Sequence, residues 1–285
     1  MNTLKIAIQK SGRLNEDSLK ILKDCGISVD NGNDQLKATA SNFPLEILFL
    51  RNSDIPQYLI DGVADIAIVG DNLLVEKGGA IEVVEKLGFS KCKVSIAVPK
   101  TVNYNSIEDL DGKRIATSYP NTVLNYFKSK NVNVEIHQIS GSVEIAPNIG
   151  LSDAIVDIVS TGSTLFKNNL KEVEVILKSE AVLAASPNLS EEKKVLLDKL
   201  IFRIQSVLKA RKSKYILMNV PNDKIAEISS ILPVLKSPTV LPLAEAGWSS
   251  VHSVINDDQF WEVIDQLKNA GAEGILICPI EKMVL

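Results

Sequence analysis

SDAIVDIVSTGSTL, Ser152 to Leu165, decides how the rest of the chain is read. Its pattern predicts a short buried strand over Ala154 to Val159, a turn Ser160-Thr161-Gly162-Ser163-Thr164, and a new helix from Leu165. Such a turn offers backbone N–H groups, several hydroxyls and one glycine that permits close approach. The unpaired N–H groups and positive dipole end of the following helix add to it. Together they make an anion cradle, and phosphate is the usual anion. Asp153 and Asp157 flank the strand, which suits a magnesium–polyphosphate better than a bare anion. An ordinary capped strand–helix turn is the competing reading.

The stretch has an echo. Residues 59–73, LIDGVADIAIVGDNL, align with residues 151–165 without a gap, matching Leu59/Leu151, Asp61/Asp153, Asp65/Asp157, Ile66/Ile158 and Leu73/Leu165. Alternating apolar residues explain the Ile and Leu matches, but not two aspartates at one offset. The pattern predicts two lobes, each with a strand–turn–helix whose turn faces a shared cleft, as ligands of open α/β sheets sit at the carboxyl ends of strands.

At 285 residues and 45% apolar, the chain can bury more than one core. A net charge of −4 supplies no basic field for nucleic acid, so an anionic ligand must be held by local cations. Cys25, Cys92 and Cys278 are far apart, which fits buried thiols in a reducing compartment. With only His137 and His252 present, a zinc site or a Ser/Cys–His mechanism has little material. The start, MNTLKIAIQKSGRL, lacks a signal-peptide apolar run and no segment has membrane-span length, so a soluble cytoplasmic protein is expected.

In chain order, Leu4 to Ile8 reads as a strand, Gln9 to Arg13 as a polar turn, and a helix follows from about Asn15. Lys10 and Arg13 therefore stand at a strand's carboxyl end, although composition alone favours two solvated cations. Arg51 closes the strand Leu45 to Leu50, and Asp54 caps a helix with Pro56 in its first turn. Strands are expected at Val94 to Pro99, Lys113 to Thr117 and Val134 to Ile139, with helices at about Thr122 to Lys130 and Val143 to Asn148. Glu144 opens the last of these, where a lone Glu usually serves the helix dipole. Short apolar runs at Val173 to Leu177 and Ala181 to Ala185 lead to a long helix capped by Ser190. The charged break KARKSK, 209–214, marks a domain boundary, and the remainder reads βαββαβ, the ferredoxin-like order.

These residues resemble the long, self-contained form of the ATP phosphoribosyltransferase family, the first enzyme of histidine biosynthesis. The resemblance covers the whole chain. It is carried by IAIQKSGRL (6–14), RNSDIP (51–56), DGVADIAIVGDNLL (61–74), DGKRIATSYP (111–120), GSVEIAPNIGLSDAIVDIVSTGSTL (141–165), KEVEVI (171–176), ARKSKYILMNVP (210–221), SPTVLPL and PIEKM. It implies an α/β fold: a two-lobed catalytic region like the type II periplasmic binding proteins, with lobe I at 1–92 plus 180–210 and lobe II at 93–179. A ferredoxin-like, ACT-like regulatory domain at 211–285 completes it. The implied reaction is attack of adenine N1 of ATP on the anomeric carbon of phosphoribosyl pyrophosphate, releasing pyrophosphate, with Mg2+ as cofactor and histidine as feedback inhibitor. A homo-oligomer, dimer to hexamer, is implied as well.

Carried over by position, Ser160, Thr161, Gly162, Ser163 and Thr164 take the 5′-phosphate, with Asp153 beside them. Asp157 and Glu144 take the ribose hydroxyls or their magnesium, as the catalytic pair. Lys10, Gly12, Arg13, Arg51 and Asp71 go to ATP or pyrophosphate, and Ser237 and Thr239 to histidine, although these two residues also read simply as a strand entry. Two departures stand out: Ser163 where the family more often has Ala, and Asn148 where a basic residue is common. Adenine N1 carries a free lone pair and needs no strong base, so scarce histidine is no objection. Three other readings compete: a solute-binding protein, a type I phosphoribosyltransferase and a non-catalytic amino-acid sensor. The missing secretion signal weighs against the first, and the lack of two adjacent acids before the turn against the second.

Overall fold

A computed structural model of the chain describes residues 3–29, 35–232 and 237–284. The chain divides into two compact units, one spanning Met1–Lys23 and Ile27–Leu197, the other Asp24–Gly26 and Asp198–Leu285.

The first unit opens with β1 (Leu4–Gln9), α1 (Arg13–Asp24), β2 (Lys37–Thr39), β3 (Leu45–Leu50), α2 (Ile55–Ile60), β4 (Ile66–Gly70), α3 (Asp71–Lys77) and β5 (Glu82–Lys86). A second lobe follows: β6 (Cys92–Pro99), β7 (Arg114–Thr117), α4 (Pro120–Ser129), β8 (Glu135–Gln138), β9 (Ala154–Val159), α5 (Ser163–Lys167) and β10 (Leu170–Ser179). The chain then returns as β11 (Ala181–Ala185) and α6 (Glu191–Arg211). The strand expected at Ala154 to Val159 is present with those bounds, whereas the helix expected at Val143 to Asn148 is a single 3-10 turn over Val143–Ile145. The short strands β2 and β5 have no counterpart in the sequence reading; β5 reads EVVEK, too polar to stand out.

The first lobe's sheet runs β2-β3-β1-β4-β11-β5, and the second lobe's runs β10-β6-β9-β7-β8. In the first, β1 is parallel to both β3 and β4; in the second, β7 is parallel to both β8 and β9. Central strands such as Ile66 to Val69 are fully buried, as strands covered on both faces must be. Each sheet thus has a strand whose two neighbours lie on opposite sides of it, and the crevice at its carboxyl end is where such folds hold ligands.

Two chain crossings join the lobes and form one ribbon. Ser179 pairs with Cys92, Val182 pairs with Lys86, and between them Leu87 N–H donates to Ala181 O and Ala181 N–H to Phe89 O, both at 3.0 Å. The lobes also meet through α3 and α4. Pro120 opens α4 without a side-chain cap from its own neighbourhood. Instead, the Glu76 carboxylate of α3 accepts from Asn121 N–H (3.0 Å), Thr122 N–H (2.8 Å) and Thr122 Oγ1 (2.7 Å). One lobe caps a helix of the other, satisfying donors that would otherwise be orphaned.

The structure re-registers the internal echo. Asp65 N–H donates to Lys5 O (2.9 Å) and its Oδ2 accepts Lys5 N–H (2.8 Å). Asp153 makes the same pair of bonds with Arg114, at 2.8 and 2.9 Å. Asp65 therefore corresponds to Asp153, four residues away from the gapless alignment with Asp157. Both aspartates open a central strand by clamping its parallel neighbour.

The second unit holds β12 (Ser213–Pro221), α7 (Ile225–Ile231), β13 (Thr239–Pro242), β14 (Trp248–Asn256), α8 (Asp257–Asn269) and β15 (Glu273–Pro279). The sheet order β13-β14-β12-β15, antiparallel throughout, is the ferredoxin-like arrangement. Ile216, Met218, Val220, Val251 and Ile255 pack with Ile228 and Leu267 in its core. The expected break at 209–214 is narrower: α6 runs through Arg211 and β12 begins at Ser213. The second unit begins inside α6, at Asp198, earlier than the expected boundary at 211.

Candidate active site

β7 ends at Thr117, which pairs with Val156, so Asp157 is the first residue of β9 to pass the end of its parallel neighbour. That places its carboxylate in the crevice at the sheet's carboxyl edge. Its Oδ1 accepts Ile158 N–H at 2.8 Å. Burial pushes the Asp157 carboxyl up to about 6, and the nearby Glu144 carboxylate adds to the push, against the Ile158 bond. Glu144 is brought there by an unusual turn: Gly141 (φ 92°) and Ser142 (φ 51°) both take left-handed backbone, a conformation that costs a non-glycine residue. Val143 and Ala146 then anchor the turn on Ile155, Val159 and Leu165.

Beyond Asp157, β9 runs into the Ser160–Thr164 turn. Gly162 sits at φ 75° as the N-cap of α5 and brings no side-chain cap bond. Ser160, Thr161, Ser163 and Thr164 are all exposed, and Thr161 Oγ1 donates to Ser163 Oγ at 3.1 Å. Asp153, expected beside them, is at the other end of the strand. Six residues of β9 put roughly 20 Å between it and the turn, and Arg114 grips it through Nε (3.2 Å) and Nη2 (3.1 Å). Those bonds hold its carboxyl below the usual range. Asp153 is a strand clamp outside the site.

In the first lobe, Gln9 pairs with Leu50, and Lys10 N–H donates to Leu50 O at 2.7 Å. Lys10 and Arg51 thus emerge side by side at the carboxyl ends of β1 and β3. Arg13 is the first residue of α1, two residues earlier than the helix expected from Asn15, and its largely exposed guanidinium lies 3.9 Å from Asp17. Gly12, at φ 85°, makes the turn between them. Asp71 begins α3, but this helix start is no open cradle. Asp71 N–H donates to Glu180 O (3.0 Å) and Asn72 N–H to Ser179 Oγ (2.9 Å), so the ribbon between the lobes already occupies its first two donors. Asn148 spends its side-chain amide on Asn168 O at 3.1 Å.

The lobes share a cavity of about 400 Å³ lined by Asp71 of the first and Ser160 of the second. Its wall also carries Lys86, Lys91, Lys93 and Lys178. Sequence reading misses these lysines because nothing local marks them; only the pairing of the two crossings gathers them. Among the described residues no group of three or more His, Cys, Asp or Glu converges on one point. Asp157 and Glu144 offer two neighbouring carboxylates to a hard cation, which would take its remaining oxygen ligands from water or a bound anion. In the second unit, Ser237 and Thr239 are exposed, and Thr239 pairs with His252, whose ring is bonded at 2.8 Å to Tyr215 Oη and to Ser250 Oγ.

Residues 51–206 match the family model HisG, ATP phosphoribosyltransferase, and residues 210–282 match HisG, C-terminal domain. The chain is 58% identical over 281 residues to the ATP phosphoribosyltransferase of Cytophaga hutchinsonii, covering 99% of this chain and 98% of that one. The chain belongs to the ATP phosphoribosyltransferase family. The enzyme of that name from Bacteroides thetaiotaomicron is 52% identical over 282 residues, covering 99% and 100% of the two chains. A solved chain of the ATP phosphoribosyl transferase (HisG:HisZ) complex from Thermotoga maritima superposes with a TM-score of 0.63 at 32% identity, over 73% of this chain and 98% of that one. The substrate-binding protein of an amino-acid ABC transporter shares the two-lobed fold alone, at a TM-score of 0.50 and 16% identity over 73% of this chain and 94% of its own. With both family segments on one chain, this is the long form of ATP phosphoribosyltransferase, a transferase at the first step of histidine biosynthesis. No helix among the described residues is long and apolar enough to cross a membrane.

Proposed function

We propose that the chain transfers the phosphoribosyl group of phosphoribosyl pyrophosphate to N1 of ATP with release of pyrophosphate, and that histidine inhibits it through the second unit. The observation that carries this reading is the meeting of Asp157 and Glu144 beside the Ser160–Thr164 turn at one strand end. The turn anchors the 5′-phosphate through backbone N–H groups and hydroxyls. The two carboxylates then face the ribose. As the bond from the anomeric carbon to the pyrophosphate oxygen breaks, its electron pair leaves with pyrophosphate and positive charge grows on the ring. Asp157 and Glu144 stabilise that charge, and the lone pair of adenine N1 forms the new C–N bond. Magnesium, when bound, supplies positive charge to the leaving pyrophosphate. Lys10 and Arg51, fixed side by side, orient the ATP, so that alignment does much of the catalytic work. The family resemblance supports self-association of the chain.

The direct test is pyrophosphate release with both substrates, with and without histidine. Release that needs both substrates supports the transfer, and release from phosphoribosyl pyrophosphate alone overturns it. Gly162→Val probes the cradle separately. A Cβ at Gly162 meets no other atom within 4 Å, so the protein tolerates its bulk, but φ 75° suits valine poorly. Misaligned donors should weaken phosphoribosyl-pyrophosphate binding by about ten- to a hundredfold. Calorimetry showing the parent affinity would remove the turn from the site.

The inhibitory site is tested by Thr239→Ala. Thr239 is exposed on the sheet of the second unit, so the change should leave folding and uninhibited turnover intact. The histidine concentration for half inhibition should rise roughly tenfold, the cost of one hydrogen bond. An unchanged inhibition curve would take Thr239 out of the pocket. A chain cut at Arg211 is a poorer test, because the second unit starts at Asp198 and would be left without its sheet.

A further inference from the structure

The hinge ribbon presents four lysines to the cavity, and the reaction described above gives none of them a task. Lys86 ends β5, Lys91 precedes β6, Lys93 lies in β6 and Lys178 in β10, where it pairs with Lys93. Lys93 is already held, at 2.6 Å from the Glu172 carboxylate. Lys86, Lys91 and Lys178 are exposed, and no ion pair among the described residues engages them. In a chain of net charge −4, three such cations on one cavity wall are a local concentration of charge that the fold creates. Like charges gathered there repel one another until an anion joins them.

We propose that Lys86, Lys91 and Lys178 form a polyphosphate subsite on the hinge side of the cleft. The same lining includes Ser160, the first residue of the turn after β9, and Asp71, the first of α3. A cavity of about 400 Å³ holds a diphosphate with its waters. Lysine suits that ligand: each ammonium is a compact charge with three donors on a flexible stem, able to follow non-planar phosphate oxygens. Asp71 and Glu180 reach the same wall, so the site is mixed in charge, which suits a polyphosphate carrying magnesium better than a bare one. Two molecules bring this chemistry, the diphosphate on the ribose and the triphosphate on the nucleotide. Only the choice between them rests on the proposed function.

The probe is inorganic pyrophosphate, titrated calorimetrically into the full chain with magnesium chloride present. Lys86→Ala, Lys91→Ala and Lys178→Ala are made singly and together, with circular dichroism to check the fold. The triple variant should bind pyrophosphate about ten- to a hundredfold more weakly, while ribose 5-phosphate, held by the turn, binds as in the parent. A rise confined to the KM for phosphoribosyl pyrophosphate assigns the subsite to that substrate, and one confined to the KM for ATP assigns it to the nucleotide. Should the triple variant not fold, Lys91→Ala, an exposed change outside any strand, carries the test with a smaller loss. Parent-like pyrophosphate affinity in the folded variant overturns the subsite, as does a parent protein that binds no pyrophosphate. Lysine-dependent pyrophosphate binding by a protein that fails to turn over the substrate pair overturns the proposed function and leaves the subsite standing.

Discussion

Asp157→Asn is expected to fold like the parent and to lose about 10²- to 10³-fold in kcat, the usual effect of removing one preorganised charge from a transition state. The substitution keeps the shape and the acceptor to Ile158 N–H, and removes only the negative charge that the proposed mechanism sets against the ribose. A pH signature accompanies it. The folded carboxyl, raised to about 6, keeps its proton where the unfolded one has lost it, so this group makes stability fall as pH rises from the ordinary carboxylate range to about 6. Denaturant titrations across that window should show the fall in the parent and a flatter profile in Asp157→Asn. Undiminished turnover would exclude Asp157 from catalysis, and an unchanged pH slope would mean that its burial is not felt as a raised pKa.

Asp65→Ala should act on stability. The Asp65 carboxylate is almost wholly buried and accepts from Lys193 Nζ at 2.7 and 2.8 Å and from Lys5 N–H at 2.8 Å. Removing it strands the Lys193 charge on α6 and the backbone N–H of Lys5 in β1. Loss of one partner from a fully buried pair costs about 3–5 kcal/mol, and the part-exposed Lys193 makes this the upper end of the expected loss. Denaturant unfolding should show that loss, and the folded fraction at low temperature should retain turnover. An unchanged midpoint would show that Lys193 is solvated well enough not to need its partner. A variant that stays stable but is inactive would instead place Asp65 in the chemistry.

The contrast between these two aspartates shows what the sequence could and could not convey. Apolar runs such as AIV and IAI, closed by Gly, Asp or Arg, made the central strands and their carboxyl ends legible, and the signature stretch gave β9 and the turn that follows it. The repeat misled because an aspartate that opens a buried strand and one that stands at a strand's carboxyl end look alike in one dimension. Backbone pairing separates them: Asp65 and Asp153 each close a loop of bonds with the neighbouring parallel strand, and Asp157 does not. The hinge lysines were hidden for a related reason. Lys86 and Lys178 are far apart in sequence, and their neighbourhood depends on the register of two antiparallel crossings. Glu76 was equally silent, since a cap in trans has no local spacing to reveal it.

The interruption of the first lobe by the second has a consequence for the order in which the polypeptide acquires structure as it leaves the ribosome. In the first lobe's sheet β11 lies between β4 and β5, so β5 has no strand to join until residues 181–185 have emerged. The second lobe's sheet draws only on residues 92–179, a continuous segment that is complete before then. Contiguous domains fold as units during synthesis. The later-encoded lobe therefore finishes first, and the lobe that begins the chain must wait with an open sheet edge for its closing strand.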